Sequence, residues 1–365
     1  MRSTKLASID SKLRRGSLPS FLFKAVSYSR GRLAIIDQRL LPHRVRRVWP
    51  ESAREVAQLI KALAVRGAPA IGVAAAWGMV VEADRLPDAR LRRGLAQAAR
   101  RLISARPTAV NLGYAVNRLS RLLERTRLDS AELRRRLRDE ALAIEDQEID
   151  SSLAMSRYGS ALVPRDAVVL TICNTGALAA PGMGTALGVV FQARLDGKRP
   201  RVYACETRPL LQGSRLTTLE LMRARIPVTL IADSAAASVI DRCSLVLAGA
   251  DRIARNGDTA NKVGTKPLAI LAQRAGKPFY VVAPLSSVDA DCPDGRHIPI
   301  EERDGEEVRR FAGCRSAPAG VPVFNPAFDV TPAKLITAFI TERGVIRPSF
   351  SRSITGKLRR PPPKD

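Results

Sequence analysis

The feature that most constrains the fold is a change of hydrophobic period after Val163. From there, short apolar runs alternate with helical runs, which predicts parallel strands covered on both faces by helices. The predicted strands are Ala167–Cys173, Arg201–Cys205, Pro227–Ala232, Ser244–Ala250 and Pro278–Ala283. The predicted helices between them are Gly184–Arg194, Thr217–Ala224, Ser234–Ile240 and Pro267–Ala275. We therefore expect residues 151–348 to form a doubly wound α/β domain.

The chain before this change has a helical period. Apolar residues recur three and four positions apart between Ala53 and Glu140. Two short extended segments, Leu33–Asp37 and Arg44–Val48, precede them. These patterns predict a mainly helical domain with a small β element over residues 26–150.

Both ends of the chain are basic and lack a core-forming pattern. We expect a flexible basic extension over residues 1–25 and a basic tail over residues 349–365. A transit peptide is the alternative interpretation of the first segment. Asp10 and the lack of a sustained amphipathic helix favour the extension.

Composition narrows the class of protein. With 45% hydrophobic residues among 365, the chain has enough apolar material for a sizeable core, which excludes disorder throughout. It has no run of about 18 apolar residues, so it contains no predicted membrane-spanning helix. The five scattered cysteines favour a reduced, cytoplasmic protein over a disulfide scaffold. Two histidines and no Cys-x-x-Cys pair argue against a metal site.

The charge is strongly positive. Sixty Lys and Arg residues against 35 Asp and Glu residues give +25, which by itself suggests an anionic partner. Aromatic residues make up only 4% of the chain, however, and no zinc-finger, RNP or recognition-helix pattern is present. We therefore favour a solvated basic surface over nucleic-acid binding.

Chemistry-bearing residues follow the predicted strands. In a doubly wound sheet, ligands bind beyond the carboxyl ends of the strands, and the chain places Cys173, Glu206, Asp233 and Asp251 there. Cys173 precedes a helix whose dipole favours a thiolate. Asp251 follows an apolar run, so partial desolvation would raise its pKa and suit a proton donor. Taken singly, a buried cysteine or a capping aspartate explains each residue, but their convergence favours an active site.

Three other segments are typical of anion binding. Arg66–Gly72 and Arg106–Leu112 are Arg- and Pro-bearing breaks between helical stretches, and Asn256–Thr265 is a glycine-punctuated loop that carries Lys262. Helix connections and ordinary turns are the alternative interpretations. If the arginines face the strand ends, an anionic small molecule would lie between the domains. The glycines of Gly182–Gly188 depart from the dinucleotide spacing, so we expect helix packing there and no nicotinamide cofactor.

Six motifs, in order along the chain, resemble those of the methylthioribose-1-phosphate isomerase family. They are Val65–Gly72, Arg106–Leu112, Cys173–Leu178, Glu206–Gly213, Ala250–Lys262 and Asn325–Pro332. The resemblance runs from about Arg30 to Arg347. It places the chain in a larger group that includes ribose-1,5-bisphosphate isomerases and the regulatory α, β and δ subunits of initiation factor 2B.

The resemblance implies a cofactor-free aldose–ketose isomerase of methionine salvage, which converts 5-methylthioribose 1-phosphate into 5-methylthioribulose 1-phosphate. It further implies a cytoplasmic homodimer, with a helical N-terminal domain followed by a Rossmann-like domain. By family pattern, Asp251 is the proton donor and Cys173 the other catalytic group. The implied substrate-binding residues are Arg66, Gly67, Ala68, Arg106, Gln212, Asn261 and Lys262. Two positions depart from the family pattern: Ile172 replaces a common histidine, and Cys205 replaces an acidic residue.

Two alternatives stay open at this point. A ribose-1,5-bisphosphate isomerase would need further cations for a second phosphate, and Pro69 looks more like the methylthioribose branch. A non-catalytic regulatory subunit of a nucleotide exchange complex would generally lack the cysteine–aspartate pair, which is present here.

Overall fold

The computed structural model of the protein describes residues 18–106, 109–125, 128–311 and 313–359. The helices in these ranges are α1 Ala53–Lys61, α2 Ala68–Arg85, α3 Leu91–Ala105, α4 Val110–Arg125, α5 Ser130–Ser160, α6 Ala186–Leu195, α7 Thr218–Arg223, α8 Ala236–Val239, α9 Thr265–Arg274, α10 Glu306–Arg309 and α11 Phe350–Arg359. The strands are β1 Val26–Ser29, β2 Arg32–Ile36, β3 Arg47–Val48, β4 Val168–Thr171, β5 Arg201–Cys205, β6 Val228–Ile231, β7 Leu245–Ala248, β8 Arg252–Ala254, β9 Thr259–Lys262, β10 Phe279–Val282, β11 Val288–Asp289, β12 Arg310–Phe311, β13 Cys314–Arg315, β14 Phe328–Thr331, β15 Ala338–Thr341 and β16 Gly344–Ile346.

Helix α2 forms the centre of the N-terminal half. It is rich in Ala, Gly and Val and is buried along almost its whole length, where it packs against α1, α4 and α5. Small side chains allow this close packing, as at Gly78, where an added Cβ would lie 3.1 Å from Val56. The antiparallel sheet β1–β2–β3 also packs against α2. This arrangement confirms the predicted helical domain with a small β element.

The larger sheet in the described part of the chain has seven strands in the order β16–β15–β10–β7–β4–β5–β6. Neighbouring strands are parallel except for β15 and β16. From β4 the chain builds outward through β5 and β6, then returns to place β7 on the other side of β4. This reversal is a topological switch point, where a crevice opens beyond the carboxyl ends of β4 and β7. The predicted doubly wound α/β class is confirmed.

A smaller sheet in the same region has the order β11–β8–β9–β14. It begins directly after β7 and folds the predicted glycine-punctuated loop into the β8–β9 hairpin. The hairpin turns the chain back, so that the end of β9 returns towards the carboxyl ends of the large sheet. The sequence pattern predicts neither this sheet nor β15 and β16.

The predicted segment boundaries differ from the structure in three places. The boundary at residue 150 lies inside α5, a continuous helix that packs against both α2 and α6. Residues 18–25, assigned to a flexible extension, are packed: Phe21 contacts Phe191 edge-to-face at 5.5 Å between ring centroids, and Ala25 is buried. The remainder of that prediction, residues 1–17, lies outside the described residues.

The predicted tail also contributes to the core. Helix α11 buries Phe350 and Ile354 in the cluster beneath the large sheet, and the Phe350 ring lies 4.8 Å from that of Phe339. These two apolar residues, four positions apart on one helical face, pack this short basic helix against the core, and Lys357 adds hydrogen bonds to Arg343. Residues 360–365 lie outside the described residues. None of the described helices is both long and apolar enough to cross a membrane.

Candidate active site

A cleft of about 770 Å³, partly open to solvent, lies between the helical domain and the carboxyl edge of the large sheet. All nine predicted site residues line it: Arg66, Gly67, Ala68, Arg106, Cys173, Gln212, Asp251, Asn261 and Lys262. They come from the start of α2, the segment before α4, the ends of β4, β7 and β9, and the loop after β5. Tertiary packing therefore gathers groups that are up to 196 positions apart in sequence (66 to 262).

Cys173 follows β4 in an unusual backbone conformation. Its φ angle is +63°, in the left-handed region that side-chain-bearing residues rarely adopt. Two threonines hold it there: its amide donates to Thr207 Oγ1 at 2.8 Å, and its carbonyl accepts from Thr217 Oγ1 at 2.6 Å. The half-buried thiol thus lies in the cleft wall on a fixed backbone.

Asp251 follows β7, the strand that pairs with β4. Its amide donates to the Ala260 carbonyl at 3.0 Å, which ties the residue to the β8–β9 hairpin. Burial raises the pKa of the Asp251 carboxyl, and the charges of Lys262, Arg106 and Arg66 act in the opposite direction. The carboxyl therefore keeps its proton to a higher pH than an exposed aspartate does.

The predicted cationic side chains line this cleft from different elements. Arg66 Nη2 donates to Asn174 Oδ1 at 2.6 Å, and Lys262 Nζ donates to the Ala327 carbonyl at 2.8 Å. Arg106 pairs loosely with Glu301 at 3.5 Å. Burial lowers the pKa of both Arg66 and Lys262.

The buried Nε atoms of Arg66 and Arg106 have no hydrogen-bond partner among the described residues. Because nearly all buried polar groups are paired in folded proteins, such donors indicate room for an acceptor. An anion in the cleft would supply that acceptor.

The start of α2 adds one backbone donor, the Ala68 amide, to these cations. Gly67 has a φ angle of +89°, and a Cβ at this position would overlap the Ala179 carbonyl. Glycine is therefore required for the chain to enter α2 beside the 173–180 loop. Ala68 begins the helix; Pro69 has no N–H, and the Ala70 amide donates to the Ala179 carbonyl at 3.1 Å. The Ala68 amide is therefore the donor that this end of the helix, which favours anions, offers to the cleft.

Gln212 and Asn261 supply amide groups to the wall. Gln212 is buried before a π-helical turn, Gly213–Thr217, and its Oε1 has no partner among the described residues. Asn261 Nδ2 donates to Thr265 Oγ1 at 2.9 Å, which fixes its side chain at the start of α9. Both positions suit hydroxyl recognition, because an amide offers a donor and an acceptor.

Comparison with known proteins agrees with this geometry. The model of the initiation factor 2 subunit family matches residues 64–348. The chain is 49% identical over 330 residues to the methylthioribose-1-phosphate isomerase of Pelotomaculum thermopropionicum, covering 89% of this chain and 91% of that relative. It is 51% identical over 344 residues to the protein of that name from Anaeromyxobacter sp. (strain Fw109-5), covering 92% and 98% respectively.

Two crystal structures extend the comparison. The 5-methylthioribose 1-phosphate isomerase of Pyrococcus horikoshii OT3 has a TM-score of 0.86 and 43% identity, covering 92% of this chain and 96% of that one. The translation initiation factor eIF-2B, subunit delta, from A. fulgidus has a TM-score of 0.82 and 40% identity, covering 93% and 100%. The chain belongs to the initiation factor 2 subunit family and to its methylthioribose-1-phosphate isomerase branch.

The two departures from the isomerase family pattern lie in the core. Ile172 and Cys205 are both buried in one apolar cluster beneath the strand ends. Burial raises the pKa of the Cys205 thiol to about 12, so it stays protonated at neutral pH. Both side chains therefore belong to the apolar core next to the carboxyl ends of β4 and β5.

Asp233 and Arg252, which also follow predicted strands, do not line the cleft. Asp233 accepts from the amides of Thr207 and Arg208 at 2.8 and 2.7 Å, which holds the loop after β5. Arg252 pairs with Asp289 at 3.2 Å. Within the described ranges, no group of three or more His, Cys, Asp or Glu side chains could hold a metal ion.

Several residues that line the cleft were not predicted as site residues from the sequence. Asn174 directly follows Cys173, and this adjacency could have identified it as a site residue. Arg303 and Phe328 also line the cleft, but they lie in the last fifth of the chain, away from the predicted strand ends. Arg303 bonds to Glu301 at 2.8 Å, and the Phe328 ring lies 4.9 Å from Lys262 Nζ. Only the folding of the smaller sheet and of the segment before it brings them here.

Proposed function

We propose that this protein converts 5-methylthioribose 1-phosphate into 5-methylthioribulose 1-phosphate. The observation that carries the proposal is that Cys173 and Asp251, which follow the neighbouring strands β4 and β7, line one cleft together with buried cations. Ring opening needs a proton donor, the phosphate needs an anion-binding wall, and the enol route described below also uses a thiol. The names of the relatives support the same substrate.

The phosphate is held by Arg66, Arg106 and Lys262, and the Ala68 amide at the start of α2 adds one backbone donor. Charge-assisted hydrogen bonds are about twice as strong as neutral ones, and the partly desolvated cleft strengthens them further. The unpartnered Nε atoms of the two arginines gain an acceptor in this arrangement.

Asp251 opens the sugar ring. The anomeric oxygen carries the phosphate, so the ring cannot open to a free aldehyde. Protonated Asp251 donates its proton to the ring oxygen as the bond from that oxygen to C1 breaks, which leaves C1 electrophilic. The raised pKa of this carboxyl keeps the proton available.

Two routes then lead to the ketose, and both are redox-neutral within the substrate. In the first, hydrogen moves from C2 to C1 as hydride while the C2 hydroxyl gives its proton to the Asp251 carboxylate that ring opening left. In the second, Cys173 as thiolate takes the C2 proton to form an enol phosphate and returns it to C1, while the enol hydroxyl at C2 gives its proton to the Asp251 carboxylate. Deuterium placed at C2 separates them, because the hydride route retains it at C1, whereas the enol route exchanges it with solvent to the extent that the carrier exchanges.

The direct test incubates the purified protein with 5-methylthioribose 1-phosphate and follows the product by NMR. We expect the ketose 1-phosphate to form without added cofactor. If the substrate persists unchanged, the proposed activity is wrong, and a non-catalytic role becomes the better explanation. The likeness to an initiation factor subunit at TM-score 0.82 is the observation that favours this second candidate. Co-purification with other subunits would support it.

The same assay with ribose 1,5-bisphosphate tests the other isomerase. A second phosphate would need a further cation, and Arg303, the available one, is already bonded to Glu301 and Glu307. Leu63, Leu210 and other apolar side chains of the wall suit an uncharged methylthio group better. We expect turnover of the methylthio substrate to exceed that of the bisphosphate.

We further propose that the protein is a homodimer, that it is cytoplasmic, and that its reaction belongs to methionine salvage. The family resemblance implies all three. Sedimentation equilibrium of the purified protein tests the oligomeric state, and a monomer would contradict that part of the proposal.

A further inference from the structure

Arg66 is a buried cation whose side-chain hydrogen bond goes to a neutral amide. Its side-chain partner is the neutral amide of Asn174, and within the described ranges no carboxylate forms an ion pair with it. Burying a charge without a counter-ion is costly, so the surroundings must both stabilise the guanidinium and leave its donors free. The side chains behind Asn174 show how both demands are met.

The orientation of the Asn174 amide is fixed on both sides. Its Nδ2 donates to Glu220 Oε1 at 2.7 Å and lies 3.4 Å from Thr217 Oγ1, which leaves Oδ1 turned towards Arg66. Asn174 is 3% exposed, so water does not compete for these bonds. An inverted amide would place an N–H group against the guanidinium and a carbonyl oxygen against the carboxylate.

Glu220, on α7, anchors this arrangement. It is 2% exposed, and its Oε2 accepts from the Leu178 amide at 3.3 Å while Oε1 holds Asn174. The carboxylate lies so close to Gly176 that a Cβ there would overlap it. Burial raises the pKa of Glu220 to about 7, against the opposing effect of its hydrogen bonds and of Arg66. Above that pH the ionised carboxylate lies one amide away from the guanidinium.

We propose that Asn174 and Glu220 are positioning residues, through which a buried carboxylate aims Arg66 into the cleft while the intervening amide leaves the guanidinium charge free for the anionic group of the substrate. This inference rests on the proposed function for the identity of the substrate. We call the chain of hydrogen bonds from Glu220 through Asn174 to Arg66 the relay. The central claim, that the relay prepares an anion site, can be tested without turnover.

The Glu220→Gln substitution tests the relay. Glu220 accepts a hydrogen bond at each oxygen, whereas glutamine has one oxygen and one NH₂ group. Whichever way the glutamine amide turns, its NH₂ faces either Asn174 Nδ2 or the Leu178 N–H. Losing a hydrogen bond to a charged group costs about tenfold or more in binding. We expect the dissociation constant for inorganic phosphate, measured by titration calorimetry, to rise about tenfold. KM for 5-methylthioribose 1-phosphate should rise in parallel, with a smaller change in kcat.

Asn174→Asp is the second variant and remains decisive if Glu220→Gln fails to fold. It places a carboxylate on Arg66 where the amide stood, so an ion pair competes with the incoming anion. A proton shared with Glu220 relieves the repulsion between the two carboxyl groups. We expect phosphate affinity to fall at least as far as in Glu220→Gln.

Glu82→Gln provides the matched control, because Glu82 is also buried and accepts a backbone amide, from Ala53 at 2.9 Å, but it lies in the helical domain. This variant should lose stability and keep both phosphate affinity and KM. Either relay variant binding phosphate within twofold of the unsubstituted protein would overturn the proposal. An unsubstituted protein that binds phosphate but forms no ketose would refute the proposed function alone, and the relay would still be judged by its phosphate affinities.

Discussion

Replacing Asp251 by asparagine removes the proton that the proposed ring opening needs and changes little else in the cleft. The tie between Asp251 and the hairpin uses the backbone amide, which donates to the Ala260 carbonyl and is retained. The asparagine side chain has the size of the protonated acid and is likewise neutral. The positive surroundings made by Lys262, Arg106 and Arg66 therefore stay as they are when the acid is protonated.

The size of the effect follows from these contacts. General acid catalysis contributes about 10²–10⁴-fold, which is about 2.7–5.5 kcal/mol of barrier. Lys262 is the other nearby proton donor, but its Nζ is bonded to the Ala327 carbonyl and faces the Phe328 ring. It is poorly placed to replace the acid. We therefore expect Asp251→Asn to lower kcat by at least a hundredfold while KM changes by less than threefold.

The assay is the NMR conversion of 5-methylthioribose 1-phosphate at saturating substrate, with phosphate affinity measured alongside. Asp258→Asn is the matched control, because Asp258 accepts amides from Gly295 and Ala333 at 2.9 and 2.8 Å without lining the cleft. It should cost about 1–3 kcal/mol of stability with kcat unchanged. An Asp251→Asn variant that turns over within tenfold of the unsubstituted protein would refute the reasoning and remove this residue from the mechanism.

Three further predictions concern the thiol, the C-terminal helix and a buried acid. Cys173→Ser should lower turnover by at least tenfold in the same assay, whereas Cys205→Ala, in the core, should leave kcat unchanged; equal losses would contradict a special role for Cys173. Ile354→Ala should lower the free energy of unfolding in urea by about 2–5 kcal/mol, and Leu358→Ala, one turn further along the same face where the side chain is 36% exposed, should lower it by clearly less. Burial raises the pKa of Glu148 from 4.5 to about 7, so the folded protein binds more protons than the unfolded chain between these values. The free energy of unfolding should therefore fall as pH rises from about 4.5 to 7, and Glu148→Gln should flatten this slope; an unchanged slope would show that Glu148 does not titrate there.

Local patterns in the sequence determined the elements that carry the chemistry. Nearly continuous apolar runs predicted five strands of the large sheet, and the observed strands lie within them. Cys173 and Asp251 could be placed at one edge because parallel strands end on the same side of a sheet. The position of Asp251 after an apolar run suggested a proton donor, and the family resemblance assigned it that role together with the set of substrate contacts. These roles remain proposals.

Packing between distant elements determined which side chains contact one another in the site and in the core. Arg66 meets Asn174 across 108 positions, and Glu220 meets Asn174 across 46; no period along the chain encodes either contact. The same holds for Ile354, whose burial depends on the sheet beneath α11 rather than on the basic residues around it. Hydrophobic period is a property of neighbouring residues and predicts where a strand or helix forms. The partner of a buried charge is chosen by which surfaces fold against each other, and only the tertiary structure specifies that.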